Sequence, residues 1–188
     1  MLAYVFWHSP RPDIDRGSYV DHLVEFHQTL ARNKSSGFRE SVVFRIRDAG
    51  WLKTNGEAYE DWYLLDDSAG LDPLNEAAVS GACEEPHNRV AREAADGVGG
   101  LYRLRAGAED LAQARFAAWL SKPSGVPYKD FYAEFQSLTS QPGVALWGRQ
   151  MTLGPTTEFC LHSPTEIQLP SGHIAQRTAL SLVLRTKQ

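Results

Sequence analysis

The stretch LDPLNEAAVSGACEEPHNRVAREAADGVGGLYRLRAG, residues 71–107, contains the features that decide the fold. Asp72–Ala95 has a helical pattern with Pro86 inside it, and three glycines precede a strand-like run at Leu101–Arg105. Proline removes a backbone donor and clashes with the preceding turn, so the pattern predicts a helix that breaks at Pro86. His87 would then lie at the break, where a side chain can point into a pocket. Gly97, Gly99 and Gly100 are predicted to form the turn that leads into the strand.

The residues before this stretch predict the rest of one folding unit. Leu2–His8 is a continuous apolar run, which is typical of a strand buried on both faces. Ser18–Ala31 has apolar residues at helical spacing. Two further strands are predicted at Phe38–Arg47 and Ala58–Leu65, joined by a hairpin with the turn signal Asn55-Gly56. The order β-α-β-β-α-β is that of a ferredoxin-like unit, an antiparallel sheet with both helices on one face.

The second part of the chain repeats this order in a shorter form. The pattern predicts one helix, Tyr128–Leu138, and four strands, Arg115–Leu120, Val144–Leu153, Glu158–His162 and Thr178–Leu184. Aligning Trp7 with Trp119 also aligns Tyr19 with Phe131 and Leu23 with Phe135 without a gap, which indicates an internal duplication. We therefore predict a site-bearing repeat at residues 1–107 and a reduced repeat at residues 108–188.

The predicted fold class is α+β, with two tandem ferredoxin-like repeats in one chain. Each antiparallel sheet leaves its helix-free face apolar, and that face must be covered. Two such sheets packed against each other form the eight-stranded arrangement of dimeric α/β-barrel proteins.

Composition excludes several classes of partner. With 43% hydrophobic and 22% charged residues, the 188-residue chain is typical of a soluble globular protein. The net charge of −4 and the absence of a basic run argue against nucleic-acid binding. No apolar run is long enough for a membrane span, and no signal segment is recognisable, so a cytoplasmic location is expected. Cys83 and Cys160 are far apart in sequence and are expected to be reduced thiols.

Histidines and one carboxylate are the candidate catalytic residues. His27 lies in the apolar stripe of the first helix, and His8 ends the first strand. Asp61 alternates with Tyr59 and Tyr63, so all three share one face of their strand. A buried carboxylate must be paired, and orienting a histidine is one such use. The alternatives are a hydrogen-bonded core histidine and a carboxylate bonded to water.

Aromatic residues and one arginine are the candidate substrate contacts. Tyr19, Trp7, Tyr59 and Tyr63 could line a flat pocket, and a tyrosine could donate a hydrogen bond to an enolate. Arg45 could bind a substrate carboxylate. Core packing and a salt bridge at the rim are the alternatives. The sequence has no set of three or four clustered metal ligands and no nucleotide-binding motif, so neither a metal nor a cofactor is predicted.

Two spacings resemble a known superfamily. Tyr19, Leu23 and His27 are four residues apart, and Pro86-His87 is followed by Leu101 fourteen residues later. These residues resemble the dimeric α/β-barrel superfamily, particularly its EthD-like and stress-responsive members, in a fused tandem form. The Pro86-His87 pair is similar to an element of plant olivetolic acid cyclase and its relatives, which implies that His87 is a general base. Gly81 stands where those cyclases have a tyrosine.

The sequence and the resemblance together predict a cofactor-independent acid/base enzyme. We expect a lyase or cyclase that performs a dehydration, decarboxylation or aldol-type step on a small aromatic or polyketide-like acid. His87 would be the principal base, assisted by His27, His8 or Asp61. The alternatives are a cofactor-free monooxygenase on a phenolic substrate, a haem-binding protein with His87 or His27 as axial ligand, and a non-catalytic ligand-binding or stress-related barrel. A homodimer of such barrels is a further open alternative.

Overall fold

The chain forms nine strands and four longer helices within the residues that the structure describes. The computed structural model describes residues 1–33, 35–47, 49–52, 56–152 and 157–187. The first half contains β1 (Leu2–Pro10), α1 (Arg16–Asn33), β2 (Phe38–Arg47), β3 (Glu57–Leu65), α2 (Leu71–Ala78), α3 (Glu84–Glu93) and β4 (Ala94–Gly107). The second half contains β5 (Phe116–Leu120), α4 (Tyr128–Thr139), β6 (Ala145–Thr152), β7 (Phe159–Ser163), β8 (Ala175–Ala179) and β9 (Ser181–Lys187).

All nine strands belong to one sheet that curls into a nearly closed barrel. The strand order is β8-β5-β7-β6-β4-β1-β3-β2-β9, and the paired strands are antiparallel. Only Leu180 separates β8 from β9, yet β8 pairs with β5 at one edge and β9 pairs with β2 at the other. This last stretch of the chain therefore joins the two edges. The predicted α+β class and barrel are confirmed.

The two halves arrange their strands in the same relative order. The first half runs β4-β1-β3-β2 and the second runs β8-β5-β7-β6. Residues 164–174, between β7 and β8, are described and contain no helix, so the second half lacks a counterpart of α2 and α3. The division into independent repeats at residues 107 and 108 stays a prediction.

Strand alternation separates an inner core from an outer layer. On β1, Ala3, Val5 and Trp7 face the barrel interior, where they pack with the other four tryptophans in one buried cluster. Tyr4, Phe6 and His8 face outward, under α1, α2 and α3. Helix α1 begins after Asp15, whose carboxylate accepts a hydrogen bond from the Ser18 backbone N–H at 2.9 Å.

The helix break lies before Pro86, not at it. Helix α2 ends at Ala78, and α3 begins at Glu84 after a turn that contains Gly81 with a φ of +56°. Pro86 is the third residue of α3, where a missing N–H leaves no helical hydrogen bond unmade. The predicted break at Pro86 is therefore wrong, and His87 lies within α3.

The predicted glycine turn is also wrong. Gly97, Gly99 and Gly100 lie inside β4 and pair with β1. A Cβ atom at Gly97 would collide with the Phe6 ring, and one at Gly99 would lie 3.0 Å from the Tyr4 hydroxyl oxygen. These two glycines leave room for the rings of β1 to lie across β4.

The remaining boundaries differ little from the predictions. Strand β1 extends two residues past His8, and the last predicted strand is divided at Leu180. Asn55 of the predicted hairpin turn and Leu153 of a predicted strand lie outside the described residues. Among the residues described, no helix has both the length and the apolar character needed to cross a membrane.

Candidate functional site

A cavity of about 650 Å³ lies between the outer face of the first-half strands and the three helices that cover it. Tyr4, Phe6, His8, Asp61 and Tyr63 line its sheet side. Its helical side includes Tyr19, Leu23 and Phe26 of α1, Leu71 and Leu74 of α2, and His87 and Val90 of α3. The volume and the largely apolar, aromatic lining suit a small organic ligand.

Asp61 is the buried centre of the sheet side, with 2% of its surface exposed. Its Oδ2 atom accepts hydrogen bonds from His8 Nε2 at 3.0 Å and His27 Nε2 at 3.2 Å, and the Tyr63 hydroxyl lies 3.4 Å away. Burial alone would raise the pKa of the Asp61 carboxyl, but the adjacent His8 and His27 lower this pKa well below its ordinary value. Asp61 is therefore ionised at neutral pH.

The other carboxylate oxygen of Asp61, Oδ1, differs from Oδ2 in its hydrogen bonding. Oδ1 is buried and has no hydrogen-bond partner among the residues that the structure describes. A buried acceptor without a partner is unfavourable, because it has lost its hydrogen bonds to water and no protein hydrogen bond replaces them. Since Asp61 lines the cavity, a ligand group that donates a hydrogen bond could satisfy Oδ1.

The hydrogen bonds of His8 define its orientation. Its Nδ1 lies 2.6 Å from the Tyr19 hydroxyl oxygen, and its Nε2 faces the Asp61 carboxylate. An ionised carboxylate only accepts, so Nε2 carries the proton, and in the neutral ring Nδ1 accepts from Tyr19. Burial, followed by the Asp61 charge, raises the pKa of Tyr19 well above its ordinary value, so Tyr19 keeps its proton to donate.

His27 contacts Asp61 from the side that faces away from the cavity. It is fully buried, and it is not among the cavity-lining residues. Its Nδ1 lies 2.8 Å from Ser41 Oγ. The Tyr63 ring stacks on its imidazole with a centroid distance of 5.1 Å. Burial and then the Asp61 charge raise the pKa of Tyr63, which keeps this hydroxyl protonated.

His87 lines the opposite side of the cavity. It is partly buried, its ring packs against Phe26 at 5.5 Å, and its Nδ1 lies 3.3 Å from the Asn88 side-chain oxygen. No ion pair joins it to a carboxylate within the described part of the chain. The structure thus places His87 at the cavity, and its role as principal base stays a prediction.

Three predicted contact residues do not reach the cavity. Trp7 faces the barrel interior, where its indole N–H donates to Glu60 at 3.1 Å. Tyr59 is buried beside His8 and donates to Glu57 at 2.7 Å. Burial and this bond raise the pKa of Tyr59 to about 12. Arg45 lies 3.6 Å from the same carboxylate, with 42% of its side chain exposed. The substrate contacts predicted for these three residues lack support in this geometry.

Several site residues were not identified from the sequence. Tyr4 and Phe6 form the floor of the cavity, and their alternation with Trp7 was the available signal. Ser41 and Thr186 bond to each other across 145 positions of the chain, so no local pattern could reveal them.

Within the described ranges, no group of three or more His, Cys, Asp and Glu side chains is arranged to hold a metal ion. Cys83 and Cys160 are free and buried. Burial, followed for Cys160 by the Glu60 charge, raises the pKa of each thiol.

Known structures share this fold, although sequence comparisons find no relative. No protein-family model matches the sequence, and no curated protein matches it either. A protein from Fusobacterium nucleatum, provisionally named a monooxygenase, is similar with a TM-score of 0.64 and 9% identity over 100% of this chain and 94% of its own. A second provisionally named monooxygenase, from Lactobacillus acidophilus, has a TM-score of 0.61 and 10% identity over 100% and 96%.

A third solved structure is described as an anthrone oxidase-like protein. It has a TM-score of 0.51 and 9% identity over 99% of this chain and 92% of its own. At these identities the likeness shows the fold and not the function. The finer resemblance to EthD-like and stress-responsive members stays a prediction.

Proposed function

We propose that the cavity is the active site of a cofactor-independent acid/base enzyme in which His8, held by Asp61, is the general base. The main support is an unbroken chain of hydrogen bonds between three cavity-lining residues: Tyr19 Oη to His8 Nδ1 at 2.6 Å, and His8 Nε2 to Asp61 Oδ2 at 3.0 Å. This is the arrangement of a hydroxyl–histidine–aspartate triad, with tyrosine supplying the hydroxyl.

The direction of these bonds indicates how a proton would move. A phenolic hydroxyl of the ligand, or a methylene activated by a carbonyl, can give its proton to Tyr19 Oη while the Tyr19 proton passes to His8 Nδ1. The imidazolium that forms is stabilised by Asp61, which stays ionised because its pKa is low. The high pKa of Tyr19 disfavours a separate phenolate, so both protons move together. The result is a ligand anion in an apolar cavity.

The lining also indicates the charge of the ligand. Its carboxylates are Asp61, Asp72 and Asp96, and it includes no lysine or arginine among the described residues. The sequence predicted an aromatic acid with Arg45 as its partner, but this arginine is elsewhere. The cavity favours an uncharged aromatic or polyketide-like ligand, because a carboxylate would lie near Asp61 without a counter-charge.

Oxygenation is the first candidate for the fate of the ligand anion. The three similar structures carry monooxygenase or anthrone oxidase-like names, and a cavity lined by five phenylalanine and tyrosine rings suits a flat fused-ring ligand. A methylene group beside the rings would be converted to a carbonyl by one O₂, with the second oxygen atom leaving as water. This stoichiometry needs no external reductant.

A lyase or cyclase step is the second candidate. It is favoured by one observation, the position of His87 on the side of the cavity opposite the sheet. Two histidines on different walls could remove a proton at one atom and return one at another, which dehydration and aldol-type ring closure require.

The reaction class can be tested with anthrone, an uncharged three-ring ketone with an activated methylene. We expect the protein to consume one O₂ per anthrone and to form a product with one more oxygen and two fewer hydrogens, in an oxygen-electrode and mass-spectrometry assay. Conversion of a polyketide-like lactone with loss of water or CO₂ and without O₂ uptake would support the lyase instead. Binding of both ligands without any conversion would contradict an enzyme and favour the binding-protein alternative.

A further inference from the structure

A second hydrogen-bond chain runs from Asp61 away from the cavity to the last strand. His27 Nε2 lies 3.2 Å from Asp61 Oδ2, His27 Nδ1 lies 2.8 Å from Ser41 Oγ, and Ser41 Oγ lies 3.0 Å from Thr186 Oγ1. His27 and Ser41 are fully buried, and Thr186 is 7% exposed. The chain crosses from β3 through α1 and β2 to β9.

With Asp61 ionised and the His27 ring neutral, the donors and acceptors of this chain fit one direction. Asp61 is ionised and accepts, so His27 donates from Nε2 and its neutral ring accepts at Nδ1. Ser41 must then donate its hydroxyl proton to His27. Because the Ser41 backbone N–H donates to Thr186 Oγ1 at 3.0 Å, the Thr186 hydroxyl proton remains available for Ser41 Oγ.

A weaker geometry competes with this direction. Thr186 Oγ1 could instead donate to the Ser41 carbonyl oxygen, but that distance is 3.4 Å against 3.0 Å to the hydroxyl. With the shorter bond in place, each hydroxyl of the chain donates toward Asp61. The opposite tautomer of His27 would present an unprotonated Nε2 to an ionised carboxylate, which is repulsive.

We propose that Ser41 and Thr186 are positioning residues that hold His27 as the tautomer with its proton on Nε2. In this form His27 donates to Asp61 Oδ2, and this second N–H keeps the carboxylate in the orientation that His8 requires. The closing strand β9 thereby completes a site whose other residues lie between β1 and the start of β4. The catalytic part of this inference rests on the proposed function, whereas the tautomer part does not.

Thr186→Val and Thr186→Ser form the matched pair that tests the inference. Valine keeps the shape and removes the hydroxyl, and serine keeps the hydroxyl. The readout is the ¹⁵N NMR spectrum of histidine-labelled protein at a pH where the rings are neutral, with the His27 signals assigned by their loss in His27→Gln. We expect wild type and Thr186→Ser to show a protonated Nε2. Thr186→Val should show a larger fraction of the Nδ1-protonated form, because Ser41 Oγ loses the Thr186 donor and can accept from His27 Nδ1 instead.

A kinetic readout links the tautomer to the reaction. In Thr186→Val we expect kcat to fall roughly ten- to a hundredfold with KM nearly unchanged, because the ligand contacts remain while the base is misoriented. Thr186→Ser should remain close to wild type. If Thr186→Val does not fold, Ser41→Ala takes its place in the same comparison.

The possible results separate the two proposals. An unchanged His27 spectrum in the folded hydroxyl-deleted variant overturns the positioning role. A changed spectrum together with unchanged kcat in an active enzyme overturns its importance for catalysis. A changed spectrum with no activity in any of the proteins supports the positioning role and counts against the proposed function alone.

Discussion

The two halves of the barrel have the same strand order, but the layers between their strands and helices differ in polarity and packing. In the first half, His8, Asp61 and His27 form a polar cluster beside a cavity. Strand register and the ungapped alignment place Leu120, Leu161 and Thr139 at the corresponding positions of the second half. There Leu120 and Leu161 pack with three phenylalanines in a continuous apolar cluster.

This difference shows that the strand arrangement does not by itself determine the outer layer of side chains. The second half fills the space under α4 with Phe131, Phe135 and Phe159, whereas the first half leaves a cavity under its three helices. One strand arrangement therefore accommodates either a packed layer or an ionised cluster with an open space beside it. The proposed function therefore depends on a few side chains of the outer face and not on the strand arrangement.

The strongest loss of activity should follow when the polar residues of the first half are replaced by the corresponding residues of the second half. The triple variant His8→Leu, Asp61→Leu and His27→Thr should lose activity by at least about a thousandfold, since the base and its orienting group are gone. Its thermal midpoint should stay equal or rise, because apolar groups replace a buried ionised cluster. Asp61→Leu alone should be less stable than the triple variant, since it leaves two imidazoles without their acceptor. Retained turnover in the triple variant would contradict the assignment of the site.

The next effect concerns stability and contrasts two phenylalanines. Phe135→Ala in the packed half should lower the free energy of unfolding by about 3–5 kcal/mol, because it opens a void in a closed layer. Phe26→Ala should lower it less, since the Phe26 ring already borders the cavity. Urea unfolding of both variants measures the difference. Equal losses would indicate that the first-half layer is as tightly packed as the second.

A smaller effect is a difference in acid stability that Asp61 introduces. Its native pKa is lower than its unfolded value, so the unfolded chain takes up a proton first as the pH falls. The stability that Asp61 contributes is therefore present above its ordinary pKa near 4 and is lost as the pH falls toward the native value. Urea unfolding at several pH values should show wild type and Asp61→Asn converging in stability at acid pH. Leu161→Asn, at the corresponding second-half position, should instead run parallel to wild type.

The smallest expected effect tests the floor of the cavity. Gly97→Ala places a methyl group against the Phe6 ring, which must then move into the space above it. We expect the affinity for an uncharged naphthol to fall about tenfold by calorimetry, which is about 1.4 kcal/mol. Gly99→Ala should reduce affinity less, because its nearest contact is the end of the Tyr4 side chain. The reverse order would place the ligand elsewhere.

Regular patterns explain why so much of the fold could be predicted. Alternation and helical spacing are local properties, and they located α1, α4 and the strands to within a few residues, except for the start of β4. The same alternation placed Asp61 on one face with Tyr63, as observed. The errors came from proline and glycine, whose structural effect depends on where they lie within a helix or strand. Pro86 lies in the first turn of a helix, and Gly97 makes room for a ring on another strand.

The sequence was enough to identify three residues of the candidate site, but not the way in which they contact one another. His8, His27 and Asp61 were each plausible as single residues, and only the register of β1 against β3 and the docking of α1 bring them to one oxygen atom. His87 came first in the prediction because of the predicted break at Pro86 and the resemblance to a proline-histidine element, both of which are local features of a sequence. Thr186 is 145 residues from Ser41, and only barrel closure makes them neighbours.

We place the general base on the sheet side of the first-half cavity, at His8. The most direct measurement is kcat for His8→Ala and His87→Ala with the same uncharged substrate, after thermal unfolding has shown both variants to be folded. We predict a loss of about a hundredfold or more for His8→Ala and a loss of less than about tenfold for His87→Ala. A severe loss in His87→Ala with near-normal turnover in His8→Ala would show that His87 of α3, and not His8, is the base.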